Sequence, residues 1–190
     1  MGLARKLRKR ADRFARVGKA KAEKRERKAE QKIAFTAKKR ERDIWDMEQQ
    51  VWNDTQVVIY TALHQENGFG GKRLTRLFLR VRNLAYCVRD DDVTEQQLVD
   101  MLKEDTHYDA TLPDMNPHDD HSVKLRSVYR MLLYFFWALH GEFGFGKKRF
   151  LALRKACAKI GQELTAGTRS LGDMVHDLEH LRDFNFEREA

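Results

Sequence analysis

The sequence predicts an all-α protein in which a long basic N-terminal helix precedes two tandem three-helix repeats related by pseudo-two-fold symmetry. Three observations predict this fold. The 190 residues include only two prolines, Pro113 and Pro117, so little interrupts a helix elsewhere in the chain. No sustained alternation of apolar and polar residues bounded by turn residues indicates a strand. A pattern centred on Gly-Phe-Gly occurs twice, 76 residues apart.

The first predicted element is a basic helical arm over residues 1–43. It contains 18 Lys and Arg against 6 Asp and Glu, whereas residues 44–190 contain 19 against 23, so the positive net charge of the chain arises in the arm. Ala, Lys, Arg and Glu, which dominate the arm, are strong helix formers. The apolar stripe of the arm is mostly alanine and buries too little area to hold the arm on a core. We therefore expect a helix that projects, frays or folds on a partner.

The cations of the arm favour contact with nucleic acid, because Lys and Arg beside phosphates release counterions. An acidic protein partner and a solvated helix without a partner are the alternatives. A targeting segment is disfavoured by the six acidic residues, since transit peptides are poor in acids. The candidate nucleic-acid-binding residues of the arm are Arg5, Lys6, Arg8, Lys9, Arg10, Arg13, Arg16, Lys24, Arg25, Lys28, Lys38, Lys39 and Arg40.

The internal repeat is the strongest signal in the sequence. Residues 57–102 align with residues 133–178 without a gap, and nine of the twelve residues in 62–73 are identical in 138–149. Each copy predicts three helices, at about 44–66, 71–89 and 94–104 in the first and at about 122–142, 147–164 and 170–183 in the second. Thr94 and Ser170 are the expected N-caps of the third helices. The copies thus span 44–104 and 122–190, and a polar loop over 105–121 holds both prolines.

Each Gly-Phe-Gly predicts a tight turn between two helices. The first glycine can adopt positive φ to end a helix, and the second allows close backbone approach. The next helix then starts with unpaired amides beside Lys-Arg, an arrangement suited to phosphate. The alternative is that Phe69 and Phe145 plug the core while the cations only solubilise the turn. The candidate phosphate-binding residues are Gly68, Gly70, Lys72, Arg73, Arg76, Gly144, Gly146, Lys147, Lys148 and Arg149.

Two resemblances involve these turns. The segments NGFGGKRL and FGFGKKRF resemble the helix-hairpin-helix motif, which implies contact with DNA backbone without sequence preference. Asn67 or Phe143 stands where that motif has proline, and Leu74 or Phe150 where it has a small residue. Residues 60–80 and 136–155 are also similar to small GFG-x-K-R repeat proteins of phages and mobile elements in Gram-positive bacteria. Some proteins of that background are anti-CRISPR or other anti-defence factors, which would imply a nuclease complex as partner.

The remaining residues give no indication of an enzyme, a metal or a cofactor. The chain has no Cys/His dyad, G-x-S-x-G motif or Walker loop. A metal bound by His64-x-Glu66 with His140-x-Glu142 is disfavoured, because a histidine at a helix C-terminus more often serves the helix dipole. Cys87 and Cys157 fall on apolar helix faces and suit a reducing compartment. The longest apolar run is shorter than the ~20 residues of a membrane span, and no secretory signal is visible, so we expect a cytoplasmic protein.

Together these features favour a non-enzymatic nucleic-acid-binding accessory protein in which the arm provides long-range attraction and the two turns contact the phosphate backbone. An inhibitor that binds a host defence nuclease through protein contacts is the first alternative. A structural helical oligomer is the second.

Overall fold

The computed structural model describes the backbone of residues 2–184 and the side chains of residues 27–184. Within this range the chain forms six helices and no strand, which confirms the predicted all-α class. The helices are α1 (Gly2–Asn67), α2 (Gly71–Arg89), α3 (Glu95–Thr106), α4 (Asp120–Phe143), α5 (Lys147–Thr165) and α6 (Leu171–Glu179).

The observed helix bounds differ from the predicted ones by more than two residues in two places. The helix predicted at 44–66 is the C-terminal part of α1, which continues through residue 44 because no glycine or proline follows Gly18 until Gly68. The helix predicted at 170–183 ends at Glu179, since Asp183 has φ +66° and the chain turns before it. The predicted caps are confirmed: Thr94 and Ser170 accept hydrogen bonds from the N–H groups of Gln97 and Asp173.

The chain divides into two units, residues 1–45 and 46–190, with the boundary inside α1. In the first unit every described side chain is exposed except those of Arg40 and Ile44. Ile33 and Phe35 expose 71% and 72% of their surface, so neither of these apolar side chains is buried.

The core of the second unit is built around α4, which packs against α2 and α3. Its MLLYFFWAL segment is buried at Met131, Leu133, Tyr134, Phe135, Phe136, Ala138 and Leu139. Burial of an apolar side chain of this size contributes about 1.5–3 kcal/mol. A helix that is apolar on most sides can bury all of these sides only at the centre of a helical bundle.

An ionic network joins three helices of the second unit. The Arg130 guanidinium on α4 lies 2.5 Å from the Glu95 carboxylate on α3 and 3.2 Å from the Glu48 carboxylate on α1. Arg126 donates to Glu95 at 3.0 Å and to the carbonyl of Pro113 at 2.8 Å, which ties the loop between α3 and α4 to the same network. Burial opposes the charge of Arg130, but Glu95 and Glu48 outweigh it and raise the pKa of the guanidinium.

None of the described helices carries an apolar stretch long enough to cross a membrane. Cys87 and Cys157 are free thiols and both are partly buried. Burial raises the pKa of the Cys157 thiol to about 12.

Candidate functional site at the two Gly-Phe-Gly turns

The first Gly-Phe-Gly turn, residues 68–70, is held by its own backbone and by one histidine. Gly68 has φ +60°, a conformation that favours glycine, and its N–H donates to the carbonyl of His64 at 3.2 Å. The N–H of Phe69 donates to the carbonyl of Leu63 at 3.2 Å. The His64 ring nitrogen Nδ1 lies 2.9 Å from the carbonyl oxygen of Phe69. Both polar backbone groups of Phe69 are therefore paired, so its ring can be buried without loss of a hydrogen bond.

The second turn, residues 144–146, repeats these contacts. Gly144 has φ +61° and donates to the carbonyl of His140 at 2.9 Å, and Phe145 donates to the carbonyl of Leu139 at 3.2 Å. The Nδ1 of His140 lies 2.8 Å from the carbonyl oxygen of Phe145. The identical residues of the two copies thus make identical local contacts.

The two turns lie next to each other. The rings of Phe69 and Phe145 meet edge to face, with centroids 6.0 Å apart, and Phe69 also meets Phe143 at 4.9 Å. Phe69 and Phe145 are only 3% and 2% exposed. Both rings are therefore buried in the core, as the alternative interpretation of the turns predicts, and they are in contact with each other.

The helices that follow the turns begin unlike the other helices of the second unit. In α3, α4 and α6 a Thr94, Asp119 or Ser170 side chain caps the first amides, and each first turn contains an acidic residue. The N-caps of α2 and α5 are Gly70 and Gly146, which have no side chain to cap with, and neither first turn contains an acid. The first amides of these two helices therefore have no side-chain acceptor.

The cations at these helix starts are on the surface. Lys72, Arg73 and Arg76 on α2 are exposed, as are Lys147, Lys148 and Arg149 on α5. The arginines are also held by the fold, whereas the lysines of α5 extend into solvent. Arg73 lies 5.1 Å above the Phe69 ring, and Arg149 lies 4.3 Å above the Phe145 ring and donates to the carbonyl of Gly144. Arg76 pairs with Glu142 of α4 and stacks on Phe143.

We predicted that the second glycine of each turn allows another part of the backbone to approach closely, and this prediction is wrong. A Cβ at Gly70 or Gly146 would meet nothing within 4 Å, and both residues have extended backbone. The close approach occurs one residue later in the first turn. A Cβ at Gly71 would lie 2.2 Å from the carbonyl oxygen of Arg182, because residues 182–184 cross the start of α2 there.

The arm residues predicted to bind nucleic acid are only partly described. The side chains of Arg5, Lys6, Arg8, Lys9, Arg10, Arg13, Arg16, Lys24 and Arg25 lie outside the described residues. Lys28, Lys38 and Lys39 are exposed on α1, and Arg40 is half-buried.

Among the described side chains, no group of three or more His, Cys, Asp or Glu residues has the arrangement of a metal site. His64 and His140 instead hold the carbonyls of Phe69 and Phe145, as described above. In the second copy the other ring nitrogen of His140, Nε2, lies 3.6 Å from the Asp105 carboxylate.

Three residues of the site were missed in the sequence: Gly71, Asp183 and Phe184. Two of them have counterparts at the same offset, since His107-Tyr108 stands 76 residues before Asp183-Phe184. His107 and Asp183 both have positive φ, and Tyr108 packs on Phe136 as Phe184 packs on Tyr60. An aromatic residue after each third helix was the available signal.

Comparison with family models, with curated proteins and with solved structures finds no match to this chain.

Proposed function

We propose that this chain is a non-enzymatic nucleic-acid-binding accessory protein that contacts the phosphate backbone through the starts of α2 and α5 and through its basic arm. In this proposal residues 44–104 and 122–190 are two copies of one three-helix repeat related by pseudo-two-fold symmetry, and a long basic N-terminal helix adds charge. A phage or mobile element as source, and a host cytoplasm as location, rest on the resemblance of the GFG-x-K-R segments.

The observation that carries the proposal is that α2 and α5 have cations at their N-terminal ends, where other helices have acidic residues. The positive end of a helix dipole favours acids, and a cation there costs about 0.3–1 kcal/mol. The other three helices of the second unit follow this rule, whereas α2 and α5 place Lys72-Arg73 and Lys147-Lys148-Arg149 at that end. Local rules are broken most often at functional sites. A bound phosphate would pair with the amides and with the cations at once.

The adjacency of the two turns supports a shared ligand. The Phe69 and Phe145 rings of the two turns are in contact, and in this proposal one nucleic-acid backbone contacts both cationic helix starts. Contacts of this kind position a protein on nucleic acid and carry no sequence information. We therefore expect similar affinity for unrelated sequences.

The decisive experiment measures duplex binding against salt for a variant in which Lys72, Lys147 and Lys148 are replaced by Gln. Lysines are chosen because Arg73 and Arg149 also pack on rings and their loss would confuse binding with stability. Each lost phosphate contact lowers the slope of log K against log salt by about 0.9, so the triple variant should lose up to about 2.7.

A matched control replaces Lys103, Lys124 and Lys159 by Gln, which removes the same charge from exposed positions outside the turns. The control should keep most of the slope. Equal slopes for the two variants would exclude the turns from binding. Intact protein without salt-dependent binding to any duplex or single strand would overturn the proposal.

A second candidate, binding to an acidic protein surface, is favoured by one observation. Ile33, Phe35 and Trp45 expose 71%, 72% and 58% of their surface on a helix whose neighbouring residues are mostly charged. Large apolar side chains exposed in this way often mark protein interaction sites. Capture of one host protein from a nuclease-treated lysate, lost when Ile33 and Phe35 become Ser but kept in the triple lysine variant, would favour this candidate.

A further inference from the structure

A small cleft in the second unit lies between α4, α5 and the loop that follows α3. Leu132, Leu133 and Phe136 of α4 give it apolar walls, and Tyr108 of the loop and Arg154 of α5 bring polar groups to it. Its free volume is about 20 Å³, and one water needs about 10–15 Å³ by the same measure. The cleft therefore has room for a group with one or two polar heavy atoms.

Two tyrosines, and no acid, hold the guanidinium of Arg154 at this cleft. It donates to the Tyr108 hydroxyl at 3.0 Å and to the Tyr129 hydroxyl at 3.3 Å. Among the residues with described side chains, none has a carboxylate within ion-pair distance of Arg154. Arg130, which is also half-buried, instead pairs with two carboxylates. The charge of Arg154 is therefore not balanced by a described acid.

The three side chains also have hydrogen-bond donors to spare. Each tyrosine hydroxyl accepts from Arg154, so its own hydrogen is left to donate elsewhere. The guanidinium has further N–H groups besides the two that serve the tyrosines. None of these remaining donors has an acceptor among the described residues. A positive charge and several donors without an acceptor suit an anion.

One acidic residue also lines the cleft, and its oxygens are already paired. Asp109 Oδ1 accepts from the N–H and the hydroxyl of Thr111 at 3.0 and 2.5 Å, and Oδ2 lies 3.9 Å from Lys103 Nζ. The Asp109 side chain is 61% exposed, so it extends toward solvent. Its charge is partnered by Lys103 and it does not accept from Arg154.

The first copy of the repeat has no such cluster at the corresponding positions. At the offset of 76 residues, Arg154, Tyr108 and Tyr129 correspond to Phe78, Phe184 and Asn53. Phe78 is buried in the core, and Phe184 packs on Tyr60. Apolar packing thus completes this place in the first copy, so the local fold does not require the arginine and its two hydroxyls.

We infer that Tyr108, Tyr129 and Arg154 form a binding site for a carboxylate group carried on a short apolar stem. The guanidinium and the hydroxyls make charge-assisted hydrogen bonds to the carboxylate, whose two oxygens match the free volume of the cleft. The walls of α4 contact the stem. A tetrahedral anion with four oxygens is too large for this volume. The site is separate from the starts of α2 and α5 and does not depend on the proposed function.

The test is a nuclear magnetic resonance titration of the full chain, in which sodium butanoate replaces sodium chloride at constant ionic strength. The Arg154 Nε–H signal, assigned by its absence from the Arg154→Lys variant, should shift and saturate. Butanamide, which has the same stem without the charge, and sodium sulfate should each bind at least about tenfold more weakly, as expected for loss of a charged hydrogen bond.

Tyr129→Phe keeps the ring and removes one hydroxyl, so it should weaken butanoate binding by about tenfold. The matched control is Tyr86→Phe, which removes a hydroxyl from an exposed tyrosine of α2 outside the cleft and should leave binding unchanged. Circular dichroism checks that both variants fold. The absence of a saturable shift, equal affinity for butanoate and sulfate, or equal effects of the two variants would each overturn the inference.

A second titration identifies the source of the carboxylate. It uses a short peptide that ends in leucine with a free carboxylate, and the same peptide with a C-terminal amide. Binding of the free acid at least about tenfold tighter than that of butanoate would support the C-terminus of a protein as the ligand. Weaker binding than that of butanoate would support a small organic acid. Equal binding of the acid and the amide would count against a carboxylate site.

Discussion

The contact between Phe69 and Phe145 can be tested by a double-mutant cycle with leucine at each position. Leucine keeps most of the buried apolar volume, so each single variant should cost about 1 kcal/mol of unfolding free energy, near the range of volume-conserving core changes. The edge-to-face geometry, with centroids 6.0 Å apart and ring planes at 90°, should add a coupling of about 0.5–1.5 kcal/mol. The double variant should therefore lose less stability than the sum of the single variants.

Urea denaturation followed by circular dichroism gives the three free energies of unfolding. An unchanged dependence of the unfolding free energy on urea concentration would show that all variants expose the same surface area on unfolding. Additivity within about 0.3–0.5 kcal/mol would show that the two rings are independent. In that case the two turns are not energetically coupled. The proposal that one nucleic-acid backbone contacts the starts of both α2 and α5 would then lose its structural support.

Four further predictions concern other parts of the chain. Deletion of residues 1–43 should leave the thermal unfolding of the remainder nearly unchanged and reduce duplex affinity sharply in low salt, and melting of the helices would contradict this. Gly161→Ala, in open space within α5, should stabilise by up to about 1 kcal/mol, whereas Gly71→Ala should destabilise because the new Cβ meets the backbone of residues 182–184. Arg130→Met should cost about 3 kcal/mol, since it leaves Glu48 partly buried without its cation and Glu95 paired with Arg126 alone, and a cost below 1 kcal/mol in urea denaturation would refute this. Because burial raises the pKa of Cys157 from 9.0 to about 12, the stabilisation from its neutral thiol is complete below pH 9 and is lost as the pH rises toward 12, so Cys157→Ala should flatten the alkaline fall in melting temperature.

Local signals explain the helix ends that the sequence predicts well. Gly68 and Gly144 end one helix and the following residues begin the next, and Thr94 and Ser170 carry the side chains that cap amides. The end of α6 was missed because residues 180–183 contain no glycine or proline. The chain leaves the helix there as Phe184 packs on Tyr60, a contact between residues far apart in sequence.

Contacts between residues far apart in sequence also explain why the role of Gly71 could not be predicted. Two adjacent glycines, Gly70 and Gly71, follow Phe69. Only Gly70 has a glycine at the equivalent position of the second copy, so the sequence pattern predicts a close backbone approach at Gly70. The structure places it at Gly71, because the approaching backbone belongs to residues 182–184. The partners of Arg130 could not be predicted either, since Glu48 and Glu95 lie on other helices and no spacing rule relates them.

The hydrogen bonds of His64 and His140 define which tautomer each imidazole adopts. The carbonyl oxygens of Phe69 and Phe145 only accept, so the Nδ1 atoms must carry the hydrogen and the neutral rings keep their lone pair on Nε2. Each ring is therefore fixed as a donor to the backbone of its own turn, and Nε2 is the nitrogen that carries no hydrogen. In the second copy this Nε2 lies 3.6 Å from the Asp105 carboxylate.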